Sequence, residues 1–201
     1  MLVDYALPMH NLAAVAPASP PVAPPRRRVL RAPGRAQVVA PAPVAAPEPI
    51  VRLAASADVP QIVALVNGFA EQGLMLARTE DDVLRDLPSY VVAATPGGRV
   101  LACAALSEYS PSLAEVSSVA VAAEAHGRGL GSRVVLAVER VARLRDLEEV
   151  FALSLSPRFF RSLGYDEVPL ATYPEKVARY ERMRASGMSV VEKGCFRKRL
   201  G

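Results

Sequence analysis

The chain has no tryptophan, and only two cysteines and two histidines among its 201 residues. Cys103 and Cys195 make neither a disulfide framework nor a zinc cluster. A reduced, cytoplasmic setting is the expectation. Cys103 sits in an apolar run and reads as a small buried hydrophobe. His10 and His126 are too few for a multi-histidine site, so no catalytic metal is expected. Long apolar runs are also missing. Val91–Ala94 and Leu101–Leu106 fall far short of the roughly 18–20 residues a membrane-spanning helix needs, and no membrane partner is expected. No charged start followed by an aliphatic stretch opens the chain, so a secretory signal is not expected.

Residues 1–49 are poor in nearly everything that builds a core. They hold eleven of the eighteen prolines, with Ala, Val and Arg between them, and show no strand-like alternation. Arg26, Arg27, Arg28, Arg31 and Arg35 face only Asp4 and Glu48, a net charge of +3. This composition predicts a disordered Pro/Ala/Arg-rich tail. Residues 50–201 carry nearly all the Leu, Ile, Phe and Tyr and a net charge of +1. They are long enough to bury close to ~70% of their unfolded surface in a single core. The near-neutral domain is not expected to bind nucleic acid. The Arg cluster of the tail leaves open a contact with nucleic acid or an acidic surface.

Local signals order the domain. Ile50–Ala54 reads as a strand, and Ser56 before Ala57-Asp58-Val59-Pro60 as a helix cap. Ile62, Leu65, Val66 and Phe69 keep helical spacing to about Glu71, and Gly73 stops the helix. Thr79 and Asp82 have capping-box spacing before a short helix to Leu87. Tyr90–Thr95, Arg99–Leu106 and Ala114–Val121 read as a three-strand meander, with Pro96-Gly97-Gly98 as the first turn. A helix follows from Leu130, with Val134, Val138, Val141 and Leu144 on one face. Val150–Leu155 is a strand, and Ser156-Pro157 opens a short helix that Gly164 ends. Asp166–Pro169 is extended, Pro174–Ala185 helical, and Met188–Leu200 holds a last strand or two. The order predicts an α/β or α+β domain with a mixed sheet.

The segment from Val119 to Ser132 carries the chemistry. A strand runs through Val119, Ala120 and Val121 into His126-Gly127-Arg128-Gly129-Leu130-Gly131-Ser132, which opens the amphipathic helix. First-turn N–H groups of a helix have no internal partner, and the macrodipole adds about half a positive charge there. Glycines let the backbone approach a bulky anion. Together they predict a phosphate or pyrophosphate cradle, to which Arg128 and Arg133 could add charge. No Gly-Lys-Ser/Thr follows, so this is not a P-loop, and the preceding strand ends a meander where a dinucleotide unit would open with it.

His126-x-x-Gly129-x-Gly131 resembles the coenzyme A motif of the GNAT superfamily of N-acetyltransferases, with His in the position of Arg or Gln. The order of elements over 50–201 is similar as well. Val66-Asn67-Gly68, Gly73-Leu74-Met75-Leu76 followed by Arg78, Ala114-Glu115-Val116, Phe151-Ala152-Leu153, Phe159 to Tyr165 and Pro174-Glu175-Lys176-Val177 resemble the short, stand-alone N-acetylglutamate synthases. The resemblance implies a GNAT-like fold, a mixed and mostly antiparallel sheet flanked by helices. Its 50–201 domain would move acetyl from acetyl-CoA directly to the α-amine of an amino acid, L-glutamate first, as a step of arginine biosynthesis. A homodimer is compatible with it.

It also implies where the parts lie. Acetyl-CoA would sit between the Val119–Val121 and Val150–Leu155 strands. Val119 and Val121 would pair with the pantetheine, the amides of Gly127–Ser132 would hold the pyrophosphate, and an N–H near Ala120 or Val121 would stabilise the oxyanion. The amine must lose a proton, and a carboxylate, directly or through water, can take it. Glu115 is the first candidate and Glu108 the second; a charge on the cleft rim is the alternative for Glu115. Arg78, Arg158 and Lys176 are the candidates to neutralise the acceptor's carboxylates. Two departures stand out. Phe160 occupies the place of the superfamily's frequent acidic tyrosine, leaving Tyr165, a water or an unprotonated departure for the thiolate, and Ser117 replaces an Arg usual in the synthases. Alternative functions are acetylation of another small amine or a protein N-terminus, and a non-catalytic acyl-CoA-binding regulatory module.

Overall fold

A computed structural model describes residues 47–188 and 190–201. Most of the expected tail, residues 1–46 with all five of its arginines, lies outside the described residues. Among those residues the chain runs β1 (Ile50–Leu53), α1 (Val59–Ala70), α2 (Glu80–Arg85), β2 (Tyr90–Ala94), β3 (Val100–Ser110), β4 (Leu113–Val121), α3 (Leu130–Leu144), β5 (Glu149–Ser154), α4 (Pro157–Ser162), β6 (Asp166–Val168), α5 (Pro174–Ala185) and β7 (Gly194–Arg199). No described helix is long and apolar enough to cross a membrane.

The strands form one sheet in the order β1-β2-β3-β4-β5-β7-β6. All neighbours are antiparallel except β4 and β5, which run parallel. This is the mixed sheet with flanking helices that the resemblance implied. Strand alternation divides the core in two. On one face Ala102, Ala104, Leu106, Ala114 and Val116 pack with Leu130, Val134, Val135 and Val138 of α3. On the other, Val92, Cys103, Ala105 and Ala120 pack with Ile62 and Val66 of α1 and Val83 of α2. Each fully buried Val, Leu or Ile contributes about 1.5–3 kcal/mol, so the stripe of α3 is what fixes that helix to the sheet.

The local signals held with small shifts. Thr79 Oγ1 accepts from Asp82 N at 3.1 Å and Asp82 Oδ2 accepts from Thr79 N at 3.1 Å, a closed capping box. The expected cap at Ser56 is replaced by a 3-10 turn, Ser56–Asp58. The buried Asp58 carboxylate accepts from Ala55 N at 2.8 Å and from Arg52 at 2.6 and 2.9 Å, so the acid ties the turn back to β1. The Arg52 guanidinium holds the Asp58 carboxyl below its usual range. β3 runs to Ser110, four residues past the expected end, because β4 pairs with it from Leu113 onward. The C-terminal stretch holds one described strand, β7.

Candidate active site

Two irregularities of β4 open the site. Against β3, Ser117 pairs with Ala105 but Ala120 pairs with Cys103, so an extra residue bulges out. Ser118 takes up the bulge with a left-handed φ of 51°. The Cys103 thiol donates to the Ser118 carbonyl at 3.4 Å. Burial pushes that thiol up to about 12, which keeps it the inert core group the sequence suggested. Against β5, pairing covers only Leu113, Ala114 and Glu115 opposite Glu149, Val150 and Phe151. Beyond that point the strands part, and two neighbouring cavities fill the gap. They share Phe69, Val119, Ser154, Ser156 and Phe160 as walls.

The first cavity, about 460 Å³, is bounded by Val119, Val121, His126, Gly127, Gly129, Leu130, Gly131 and Ser132. Gly127 and Gly129 have φ of 73° and 71°, which place glycine at both turns of the loop. A Cβ on either would meet nothing within 4 Å. At Gly131 a Cβ would press at 3.4 Å on Phe159 and Val121. The first helical bond of α3 runs from Arg133 N to Gly129 O at 3.1 Å. The amides of Leu130, Gly131 and Ser132 therefore lack intrahelical partners. These residues fit the pyrophosphate of a coenzyme A, which needs amide donors and an unobstructed backbone.

Three expectations change in detail. The exposed His126 points inward along the loop, and its Nε2 donates to the Val121 carbonyl at 3.0 Å. It braces the turn, and the carbonyl expected to meet the pantetheine already accepts one bond. Arg133 donates to Pro49 O at 3.0 Å and lies 3.8 Å from Glu48, so its charge serves the approach to β1. Arg128 is exposed and bounds neither cavity, while the Ala120 side chain packs beneath α1.

The second cavity, about 290 Å³, is charged. Arg78, Lys176, Arg179 and Lys193 line it against one carboxylate, Glu115. Asn67 on α1 sets Arg78 through its backbone, accepting from Arg78 N at 2.9 Å and donating to Arg78 O at 3.0 Å. Lys193 donates to Leu74 O at 2.6 Å, and burial pushes its pKa down. Ser107 and Ser117 share a hydroxyl bond at 2.9 Å on the floor. Glu115 and Lys176, 7% and 4% exposed, face each other. Lys176 Nζ donates to both Glu115 oxygens at 2.8 and 2.7 Å, and Tyr109 OH donates to Oε2 at 3.0 Å. Two residues proposed for separate tasks are thus bonded to each other. Burial pushes the Lys176 ammonium down, against the pull of Glu115.

Other candidates fall outside. Glu108 is one residue on from Ser107, and alternation turns it to the α3 face. There Arg145 Nη1 holds it at 2.7 Å, and it bounds neither cavity. Arg158 is exposed on the first turn of α4 and bounds neither cavity. Phe160 stacks on Phe196 with ring centroids 5.7 Å apart and meets Tyr165 edge-on at 5.1 Å. Tyr165 is a packed ring beside Glu139, away from both cavities. Sequence reasoning missed Arg179, Tyr180 and Lys193. Helical spacing from Lys176 could have found the first two, three and four residues on. No local signal marks Lys193.

The model of the Acetyltransferase (GNAT) family matches residues 59–165, just over half the chain. An uncharacterised N-acetyltransferase of Chlorobaculum tepidum is 34% identical over 129 residues, 64% of this chain and 83% of that one. An amino-acid acetyltransferase of Mycobacterium tuberculosis is 33% identical over 122 residues, 60% of this chain and 70% of that one. Among solved structures, N-acetylglutamate synthase from Neisseria gonorrhoeae, complexed with coenzyme A and N-acetyl-glutamate, superposes with a TM-score of 0.66 at 26% identity. That match covers 76% of this chain and 35% of the synthase. Several other amino-acid acetyltransferases are likewise matched over about a third of their length.

Proposed function

Because the chain belongs to the acetyltransferase (GNAT) family, we propose that it acetylates the α-amine of an amino acid, with L-glutamate as the acceptor. The enzyme class itself is an acetyl-CoA-dependent N-acyltransferase. On this reading the folded unit begins near Ile50, works in the cytoplasm and serves arginine synthesis.

One observation carries the acceptor assignment: the glycine-lined cavity shares a wall with a cavity of four cations and one carboxylate. An amine bearing two carboxylates matches that charge. Arg78 and Arg179 bring guanidinium forks, which suit carboxylates best. Acetyl-CoA supplies a thioester whose carbonyl is open to attack. Loop amides at Leu130, Gly131 and Ser132 bind the diphosphate, Phe159 and Val121 bound its approach at Gly131, and Phe160 excludes water from the shared wall. Glu115 accepts the ammonium proton. The freed lone pair forms the C–N bond, the nitrogen gives its second proton to solvent, and the C–S bond breaks with its electron pair left on sulfur, which takes up a proton to give the free thiol. Phe160 has no proton to give, so the proton comes from solvent or from Tyr180 in the acceptor cavity, whose hydroxyl burial pushes up to about 12.

The test is release of free thiol from acetyl-CoA against a panel of amino acids. L-Glutamate should be the best acceptor, and removing either carboxylate should lower turnover. Equal rates with glutamate and a simple alkylamine would sink the assignment.

A further inference from the structure

The most unusual arrangement in the acceptor cavity is that its one carboxylate is already spoken for. A base that accepts from an ammonium on both oxygens and from a phenol on one is a poor base. Lys176 is equally a poor ligand for a substrate carboxylate while both of its short contacts go to Glu115. We propose that Lys176 is a specificity-determining mask on Glu115: it holds the carboxylate until an anionic acceptor draws the ammonium away, so that the base is freed only by a substrate of the right charge. This rests on the reading of the cavity as the acceptor site.

The surroundings make the exchange plausible in both directions. The groups that face Glu115 are Tyr109 from β3, Lys176, Arg179 and Tyr180 from α5, Cys195 from β7, and Arg78 and Lys193 from the loops. Arg78 and Arg179 repel Lys176, so its hold on Glu115 is opposed from two sides. The ring of Tyr180 lies 5.0 Å from Lys176 Nζ, a second resting place for a cation. The lysine stem is flexible and its three donors are free to turn. With both groups buried, separating them without a replacement leaves two uncompensated charges, which strongly disfavours opening in an empty cavity. An incoming carboxylate replaces Glu115 as the partner of Lys176. Glu115 is then left with Tyr109 alone beside the acceptor's ammonium. The proton passes from nitrogen to a Glu115 oxygen, and the N–H bonding pair stays on nitrogen as the nucleophile. A neutral acceptor offers Lys176 nothing and leaves the base masked.

Carboxyl-labelled protein with coenzyme A bound tests this by 13C NMR. The Glu115 resonance is the one lost in Glu115→Gln. L-Glutamate should displace its carboxyl chemical shift at constant pH, because the Lys176 ammonium leaves both oxygens. L-Glutamine amide, with the same shape and no carboxylate, should leave it in place. Lys176→Met should show a displaced shift with no acceptor present, and glutamate and its amide should then move it alike. Lys176→Arg, which also pairs bidentately, should restore the wild-type shift. Kinetically, the preference for glutamate over the amide in kcat/KM should shrink about tenfold or more in Lys176→Met, as for a lost charge-assisted bond. A Glu115 carboxyl shift that ignores both glutamate and Lys176→Met overturns the mask. If wild type acetylates glutamate while Glu115 is unresponsive, the mask alone fails. If Glu115 responds to carboxylate ligands but another amine is the better substrate, the glutamate assignment fails and the mask stands.

Discussion

The two cavities on either side of Phe160 are built from different materials. The coenzyme side is main chain: a bulged strand, a turn with two left-handed glycines, and the bare amides of α3. The acceptor side is side chain: cations from the loop after α1, from α5 and from the approach to β7, around one carboxylate on β4. A main-chain site grips a group common to many substrates. A side-chain site can be rewritten one residue at a time. The difference predicts that changes on one side should leave binding on the other intact.

The largest effect is expected from Glu115→Gln. Losing the proton acceptor should lower kcat by about 10²–10⁴-fold, with coenzyme A affinity unchanged by calorimetry. A loss of coenzyme affinity instead would mean that the two cavities are not separable. Next comes Gly129→Glu, which puts a β-carbon on a left-handed residue and a negative charge at the mouth of the helix. Coenzyme A binding should fall by at least about a hundredfold, since a full negative charge then neutralises the half-positive helix end and repels the diphosphate. The cores are untouched, so the near-native melting temperature of the variant is the control. Arg78→Ala and Arg179→Ala should each raise KM for an anionic acceptor by about 10–100-fold, as for a lost charged hydrogen bond. KM for acetyl-CoA should not move, and parallel rises in both would break the comparison. The smallest change is His126→Ala. Without the bond to the Val121 carbonyl, KM for acetyl-CoA should rise by about 2–10-fold, with acceptor KM unaltered.

The same contrast explains what the sequence revealed. The glycine turn lies within a few consecutive residues and serves a local backbone geometry, so its place before α3 was legible from spacing, while its ligand came from the resemblance. The capping box at Thr79 and Asp82 was legible for the same reason. Glu108 was misjudged because β3 appeared to end at Leu106; once the strand continues to Ser110, alternation assigns Glu108 to the α3 face and Ser107 to the cavity. Glu115 and Lys176 were both picked out, but their bond joins residues 61 positions apart and belongs to the tertiary structure. Lys193 enters the cavity only because the chain before β7 crosses it on the way into the sheet, and no periodicity announces that. His126 keeps its motif position beside the cradle, and its ring also braces the loop, a role that spacing does not announce.

The three-residue contact between β4 and β5 has a thermodynamic corollary. Past Phe151 the ladder lacks rungs, and an amide-bearing pantetheine arm laid along the tear would act as an eighth, borrowed strand. Occupancy and fold stability should therefore be linked: at a hundred times its dissociation constant, a ligand seen only by the native state adds about 2.7 kcal/mol. Hydrogen exchange along Val116–Val121 should slow with it, as for a torn edge that its ligand covers.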